Sequence, residues 1–201
     1  MDALPLLTLP TLIIASVVVV SALAWAIAPL KRAFVFNPYL VRERFQVHRL
    51  LTAGWLHADT THLLFNMITL HFFADHVVRA LGPTRFVFLY VSAVVFAHVP
   101  TLLRHMKDPR YNSLGASGAV SAVVFSTILL HPQMKMGLMF VPIPVPGFVY
   151  AFVYLAYSAW SSFQARGGIN HGAHIAGALY GAGLTFAFEP DRATRAVQSL
   201  F

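Results

Sequence analysis

From Ala3 to Leu30 the chain carries no charged residue. That uncharged run limits the possible folds more than any other feature. About 20 consecutive apolar residues are enough to cross a bilayer, so residues 10–30 read as a membrane-spanning helix. A cleaved signal peptide fits less well, because no basic segment precedes the run and no small-x-small cleavage site stands before a soluble domain. The remainder of the chain agrees: 58% of its residues are hydrophobic, 10% are charged, and the mean hydropathy is +0.68. Soluble domains carry roughly 25% charged residues, so this chain has too little polar surface to coat a globule in water.

Further apolar stretches follow at about 61–81, 86–103, 114–130, 148–163 and 171–188. The fold class expected is all-α: a polytopic membrane bundle of six helices, in one domain covering residues 1–201. The connection from Lys31 to Thr60 holds charges, Pro38 and several aromatics, which suits a partly helical segment at the membrane interface. Val141-Pro142-Ile143-Pro144-Val145-Pro146 cannot be regular helix, since each proline removes a donor and clashes with the preceding turn. Ala165-Arg166-Gly167-Gly168 reads as a flexible loop, and the chain closes on a short charged tail.

Alternate spans run in the same direction, so spans two, four and six begin at one face. His62 falls in the first turn of span two and Asn66 one turn deeper. Ser117 falls in the first turn of span four and His174 in the first turn of span six. At 1.5 Å rise per residue all four lie within roughly 10 Å of their helix starts. Serine beside histidine is a means of making a nucleophile. A helix start offers backbone N–H groups with no intrahelical partner, which is what an oxyanion hole requires. Ser113 or Asn112 is the expected N-cap of span four. His62 and Asn66, four apart, share a helix face and can both donate to an oxyanion. Ala173, Gly177 and Gly181 repeat every four residues, and Gly115 and Gly118 flank Ser117. Small residues of this kind let membrane helices approach closely.

Each signal has a plainer meaning when taken alone. Gly-x-Ser-Gly recurs wherever small residues pack helices, and a single histidine in a span is commonly a hydrogen-bonded structural group. Their joint occurrence at one depth favours a site. His71, Asp75 and His76 could bind a metal or relay a proton, but they lie toward the opposite end of span two, where a structural or interfacial role fits better. Only seven carboxylates occur, and apart from Asp59 none stands near His174, so the chemistry reads as a dyad without an acid. With no cysteine, disulfides and thiolate metal sites are excluded. The net charge of +7 lies in short loops, which suits anionic lipid headgroups; nucleic acid is not an expected partner.

Taken together, His48-Arg49-Leu50-Leu51-Thr52, the His57-x4-His62-x3-Asn66 pattern, Gly115-Ala116-Ser117-Gly118 and Ala173-His174-Ile175-Ala176-Gly177 resemble the rhomboid intramembrane serine proteases. The resemblance extends from about Arg44 to Gly183. It implies a six-helix core, Ser117 as nucleophile, His174 as general base, and His62, Asn66 and the Ser117 N–H as oxyanion stabilisers. Arg49 would sit in a membrane-associated first loop. His57 would be structural, with Gly115, Gly118 and Ser121 in support.

Two departures stand out. Many members carry a tyrosine four residues after the nucleophile that stacks on the catalytic histidine; here that place is Ser121, so an aromatic from another span is expected to orient His174. The family's usual topology, with a cytoplasmic N-terminus in a prokaryotic inner membrane, would also put nine basic residues (Lys31, Arg32, Arg42, Arg44, Arg49, Arg104, Lys107, Arg110, Arg166) outside. Arg79, Arg85, Lys135, Arg192 and Arg195 would lie inside. The positive-inside rule prefers the reverse. The function expected is cleavage of transmembrane protein substrates through an acyl-enzyme, with no cofactor, with the Arg166-Gly167-Gly168 loop as a lid and the fifth span as a side door. The alternatives are an inactive rhomboid-like protein that binds membrane clients, and a proton or metal transporter built on His71, Asp75 and His76.

Overall fold

The computed structural model describes residues 8–138, 141–164 and 170–201. The chain is mostly helical. Helix α1 spans Leu9–Ala26. Its N-cap Thr8 accepts from the Thr11 N–H. The helix stops four residues before the expected Leu30, and α2 (Ala28–Phe34) starts in a new direction. Pro29 explains the break: it lacks a donor and clashes with the turn before it.

The first loop contains α3 (Pro38–Arg44), α4 (Arg49–Thr52) and a 3-10 turn at Ala53–Trp55. Asn37 caps α3 by accepting from the Leu40 N–H at 2.8 Å. Arg49 is 7% exposed. Its guanidinium donates to the carbonyls of Arg32 and Val35 at 2.8 Å each and to Gln46 Oε1 at 2.6 Å. The side chain therefore closes the loop on itself.

Helix α5 (Thr60–Leu81) opens on an Asp59 cap and ends at Gly82, whose φ of +82° suits a residue without a Cβ. Helices α6 (Pro83–Ala97) and α7 (Val99–His105) form one apolar rod interrupted at His98, where Pro100 supplies no N–H to continue the ladder. Helix α8 runs Ser117–Leu130, α9 Gly147–Gln164 and α10 His171–Phe188.

Two elements correct the all-α expectation. Strands β1 (Lys135–Leu138) and β2 (Val141–Pro146) pair antiparallel, with Lys135 opposite Pro146 and Met136 opposite Val145. Prolines at every second position of β2 put all the missing N–H groups on one edge, leaving the other edge to pair. The charged tail is also helical, as α11 (Pro190–Gln198).

The core lies where α5, α6, α8 and α10 meet. Leu70, Val77, Phe86, Tyr90 and Val123 are fully buried there. Leu12, Leu23, Phe72, Phe88, Phe96, Phe152 and Leu179 stay exposed on the outside of the bundle. Among the described residues, two helices are long and apolar enough to cross a membrane, Leu9–Ala26 and Pro83–His105. The shorter α8 is apolar throughout.

Candidate active site

Helices α8 and α10 approach until their backbones touch. A Cβ at Gly177 would fall 2.0 Å from the Gly118 carbonyl oxygen, and one at Gly181 2.2 Å from that of Ala122. A Cβ at Gly118 would fall 2.4 Å from the Ala97 methyl, so α8 is equally close to α6. Contacts this short exist only because those side chains are missing.

Ser117 is the first residue of α8 and His174 lies in the first turn of α10. The close seam brings them together: His174 Nε2 and Ser117 Oγ are 2.7 Å apart. The helix start differs from the expected one. The cap position belongs to Ala116, whose side chain makes no cap hydrogen bond, so the first-turn donors of α8 are left for another acceptor. Ser113, expected there, instead forms a bridge with Phe36, exchanging two backbone hydrogen bonds of 2.9 and 3.0 Å. Asn112, the other candidate, accepts from Asn37 Nδ2 at 3.3 Å. The residues before Ser117 are thus tied to the first loop.

His62 reaches the site past Gly115. The backbone there has φ +126°, in the region that favours glycine. A Cβ at Gly115 would lie 2.8 Å from His62 Cε1, 3.0 Å from its Nε2 and 3.8 Å from Ser117 Oγ. The absent side chain leaves the place where the His62 ring stands beside the serine. Asp59 accepts from the His62 N–H at 2.8 Å, which sets the start of α5. Asn66 is buried and donates one N–H to the His62 carbonyl at 2.9 Å, leaving its second N–H free to serve the site. Both residues line a cavity of about 900 Å³ with Ser117 and His174. Phe65, Val124, Phe125 and Tyr150 form part of its apolar wall.

His57 stands behind the site. Its Nδ1 lies 3.0 Å from Ser21 Oγ on α1, and its Nε2 accepts from the Ala116 N–H at 3.4 Å. Its ring meets that of His62 edge-on at 4.9 Å, and Trp25 Nε1 donates to its carbonyl. Burial pushes its pKa down to about 3, so the ring is neutral and can accept. Arg49 lies away from the cavity, at its loop closure.

Ser121, one turn beyond Ser117, is bonded to the Tyr154 hydroxyl at 2.8 Å. Tyr154 lies on α9, and its ring is nearly parallel to that of His174, 6.4 Å away with an interplanar angle of 14°. This is the aromatic from another span. The sequence carries no signal that selects it among the α9 aromatics. Two further residues were not anticipated. Asn170 caps α10 by accepting from the Ala173 N–H and donates to Thr101 Oγ1 at 2.7 Å. His171 is buried with its ring 5.9 Å from His174 and its Nδ1 unpartnered.

His71, Asp75 and His76 lie at the other end of α5. His71 meets Phe72, and His76 meets His131 at 6.1 Å. Among the described residues no group of three or more His, Cys, Asp or Glu converges on a metal position. The Arg166-Gly167-Gly168 lid lies outside the described residues.

The chain is similar to known proteins over most of its length. It is 30% identical over 173 residues to RHOMBOID-like protein 12, mitochondrial, of Arabidopsis thaliana, covering 74% of this chain and 51% of that one. It is 28% identical over 171 residues to the Presenilin-associated rhomboid-like protein, mitochondrial, of Mus musculus, covering 78% and 42%. Over 72 residues it is 39% identical to "Putative rhomboid protease YdcA" of Bacillus subtilis, covering 36% and 35%. The chain thus spans about half, or less, of the length of these curated relatives. The two matched over most of the chain are mitochondrial by name, so the expectation of a prokaryotic inner membrane gains no support from them. A family model described as Rhomboid domain matches residues 44–190, and with almost three quarters of its length inside that match, the chain belongs to the rhomboid family.

Proposed function

We propose that this protein is an intramembrane serine endopeptidase that cleaves transmembrane protein substrates. One observation carries the reading: the 2.7 Å approach of His174 Nε2 to Ser117 Oγ, between two helices that meet through glycine, in the lining of a cavity shared with His62. Residues 1–201 act as a single domain. Helix α1, helix α5, the α6–α7 rod, α8, α9 and α10 are the six spans. Lipid contacts the exposed Leu, Phe and Trp side chains.

Helix α8 has 14 residues, about 21 Å of rise against a hydrocarbon core of about 30 Å. With its far end at the opposite interface, its first residue lies below the near one. The nucleophile is then sunk within the bilayer, where water enters only through the cavity and the peptide bond of a membrane-embedded substrate can reach it.

The reaction follows from the geometry. His174 Nε2 takes the Ser117 proton as Oγ attacks the substrate carbonyl carbon. The carbonyl oxygen becomes an oxyanion held by the Ser117 N–H, the His62 ring and the free Asn66 N–H. Donors placed in advance at a developing charge are commonly the largest single catalytic contribution. The C–N bond then breaks, His174 returns the proton to the leaving amine, and Ser117 carries the acyl group as an ester. Water, deprotonated by His174, hydrolyses the ester and restores the serine.

The test is labelling by a fluorophosphonate together with cleavage of a model transmembrane substrate. Wild type should label and cleave; Ser117→Ala and His174→Ala should do neither. Equal labelling of Ser117→Ala would reject the nucleophile. Six spans also require that a reporter after Phe201 and one in the Lys107–Arg110 loop lie on opposite faces. The same face for both would overturn the span count.

A further inference from the structure

Among the described residues no carboxylate bonds to the His174 ring, and its side-chain hydrogen bond runs to Ser117. A single bond at Nε2 holds one atom of the imidazole. It leaves the ring able to turn about its Cβ–Cγ bond, and such a turn carries Nε2 away from the line to Oγ. A second restraint has to fix the plane.

Tyr154 provides one. Its ring lies within 14° of parallel to His174 at a centroid separation of 6.4 Å, inside the range of an offset aromatic stack. Tyr154 is itself held at both ends. Its hydroxyl is 2.8 Å from Ser121 Oγ, and its ring rests against Phe125 at 5.5 Å and Tyr150 at 5.9 Å. Ser121 follows Ser117 by one helical turn on α8. The contacts therefore close a loop: Ser117 to His174, His174 to Tyr154, Tyr154 to Ser121, and back along α8 to Ser117.

The closing member comes from the edge of the molecule. Helix α9 packs on α8, α10 and the hairpin, while Phe148, Phe152, Val153 and Trp160 remain exposed. We propose that Tyr154 is a positioning residue for His174, anchored by Ser121, so that the dyad is aligned only while α9 is docked against α8. This rests on the protease reading and adds to it a dependence of catalysis on the placement of one peripheral helix.

The experiment measures kcat and KM on a transmembrane substrate, the rate of labelling by a small fluorophosphonate, and the melting temperature. Tyr154→Ala should lower kcat and the labelling rate together by about 100-fold, the scale of a misplacement of about 1 Å, with KM within about threefold of wild type. Tyr154→Phe keeps the stack and should recover most of that loss. It and Ser121→Ala should each cost about 3- to 10-fold, the worth of one hydrogen bond. The pair combined should cost no more than Tyr154→Phe alone, because the Ser121–Tyr154 bond is already gone in that variant.

A small phosphonate needs no helix to move aside. Loss of substrate cleavage by Tyr154→Ala with an unchanged labelling rate would mean that α9 only admits substrate, and would overturn the proposal. A lowered melting temperature with unchanged kcat per labelled site would overturn it as well. If Tyr154→Ala does not fold, Ser121→Ala decides, since it removes a single oxygen; an unchanged labelling rate sinks the idea. Wild type that labels and cleaves while Tyr154→Ala keeps full kcat rejects the positioning role alone. Wild type that does neither rejects the protease reading and this proposal together.

Discussion

The two flanks of His174 are built in opposite ways. On one side α10 meets α8 through Gly177 and Gly118, with no room for even a methyl group. On the other side α9 meets the same pair of helices through Tyr154, whose ring lies 5.5 Å from Phe125 on α8 and 6.4 Å from His174 on α10, and leaves its outer face open. The glycine seam admits one relative position of the two backbones. The aromatic seam can slide or tilt with modest loss, because flat rings keep contact over a range of offsets. The dyad partners are carried by the rigid seam, and the group that orients the histidine is carried by the adaptable one.

Substitutions can break this contrast. The largest effect belongs to the glycine seam. Gly177→Val would place side-chain atoms inside the Gly118 carbonyl, so α8 and α10 must separate. Overpacking of this kind costs about 1–3 kcal/mol or more, and phosphonate labelling should vanish even in protein that still folds. Retained labelling would show that the seam is not what sets the dyad distance.

Next comes the turn before the nucleophile. Gly115→Ala puts a methyl where His62 stands, on a backbone with φ +126° that a side chain disfavours. If His62 is thereby displaced as an oxyanion donor, kcat should fall by about 100-fold or more, while KM changes little. Normal kcat would remove His62 from the oxyanion site.

A smaller loss is expected behind the site. Ser21→Ala leaves the buried His57 Nδ1 without a partner, at a cost of about 1–3 kcal/mol in denaturation, with activity at low temperature kept. The smallest effect belongs to the outer face of α9. Phe152→Ala, 76% exposed, should change stability by no more than about 0.5 kcal/mol. A large destabilisation there would show that the face is covered and that α9 is not an edge helix.

How much of this could be read in the chain depends on the kind of contact. Ser117, His174, His62 and Asn66 were legible because each lies near the start of an apolar stretch, and depth follows from counting along a helix. The Ala173-Gly177-Gly181 spacing announced the close seam for the same reason. The break at Pro29 and the pause at Pro100 were blurred, since a proline marks where a helix bends without stating where the next one points. Strand β2 was legible only as something other than helix. Tyr154 was out of reach: α9 offers Tyr150, Tyr154 and Tyr157, and which of them faces His174 depends on the rotation of α9 about its axis. The true cap of α8 was missed because Ser113 had a partner 77 residues upstream, at Phe36, that no local rule could supply.

The hydrogen bond between His57 and Ser21 bears on what the smallest working version of this protein must contain. The family match starts at residue 44, well after α1, and no α1 residue is among those that line the cavity. Yet His57, which accepts from the amide just ahead of the nucleophile, leans on that helix through Ser21 and Trp25. A version trimmed to the matched segment would keep Ser117, His174, His62 and Asn66 and lose the brace behind them. Helix α1 is scaffolding for the matched segment, which without it would lose both the Ser21 and the Trp25 contact to His57.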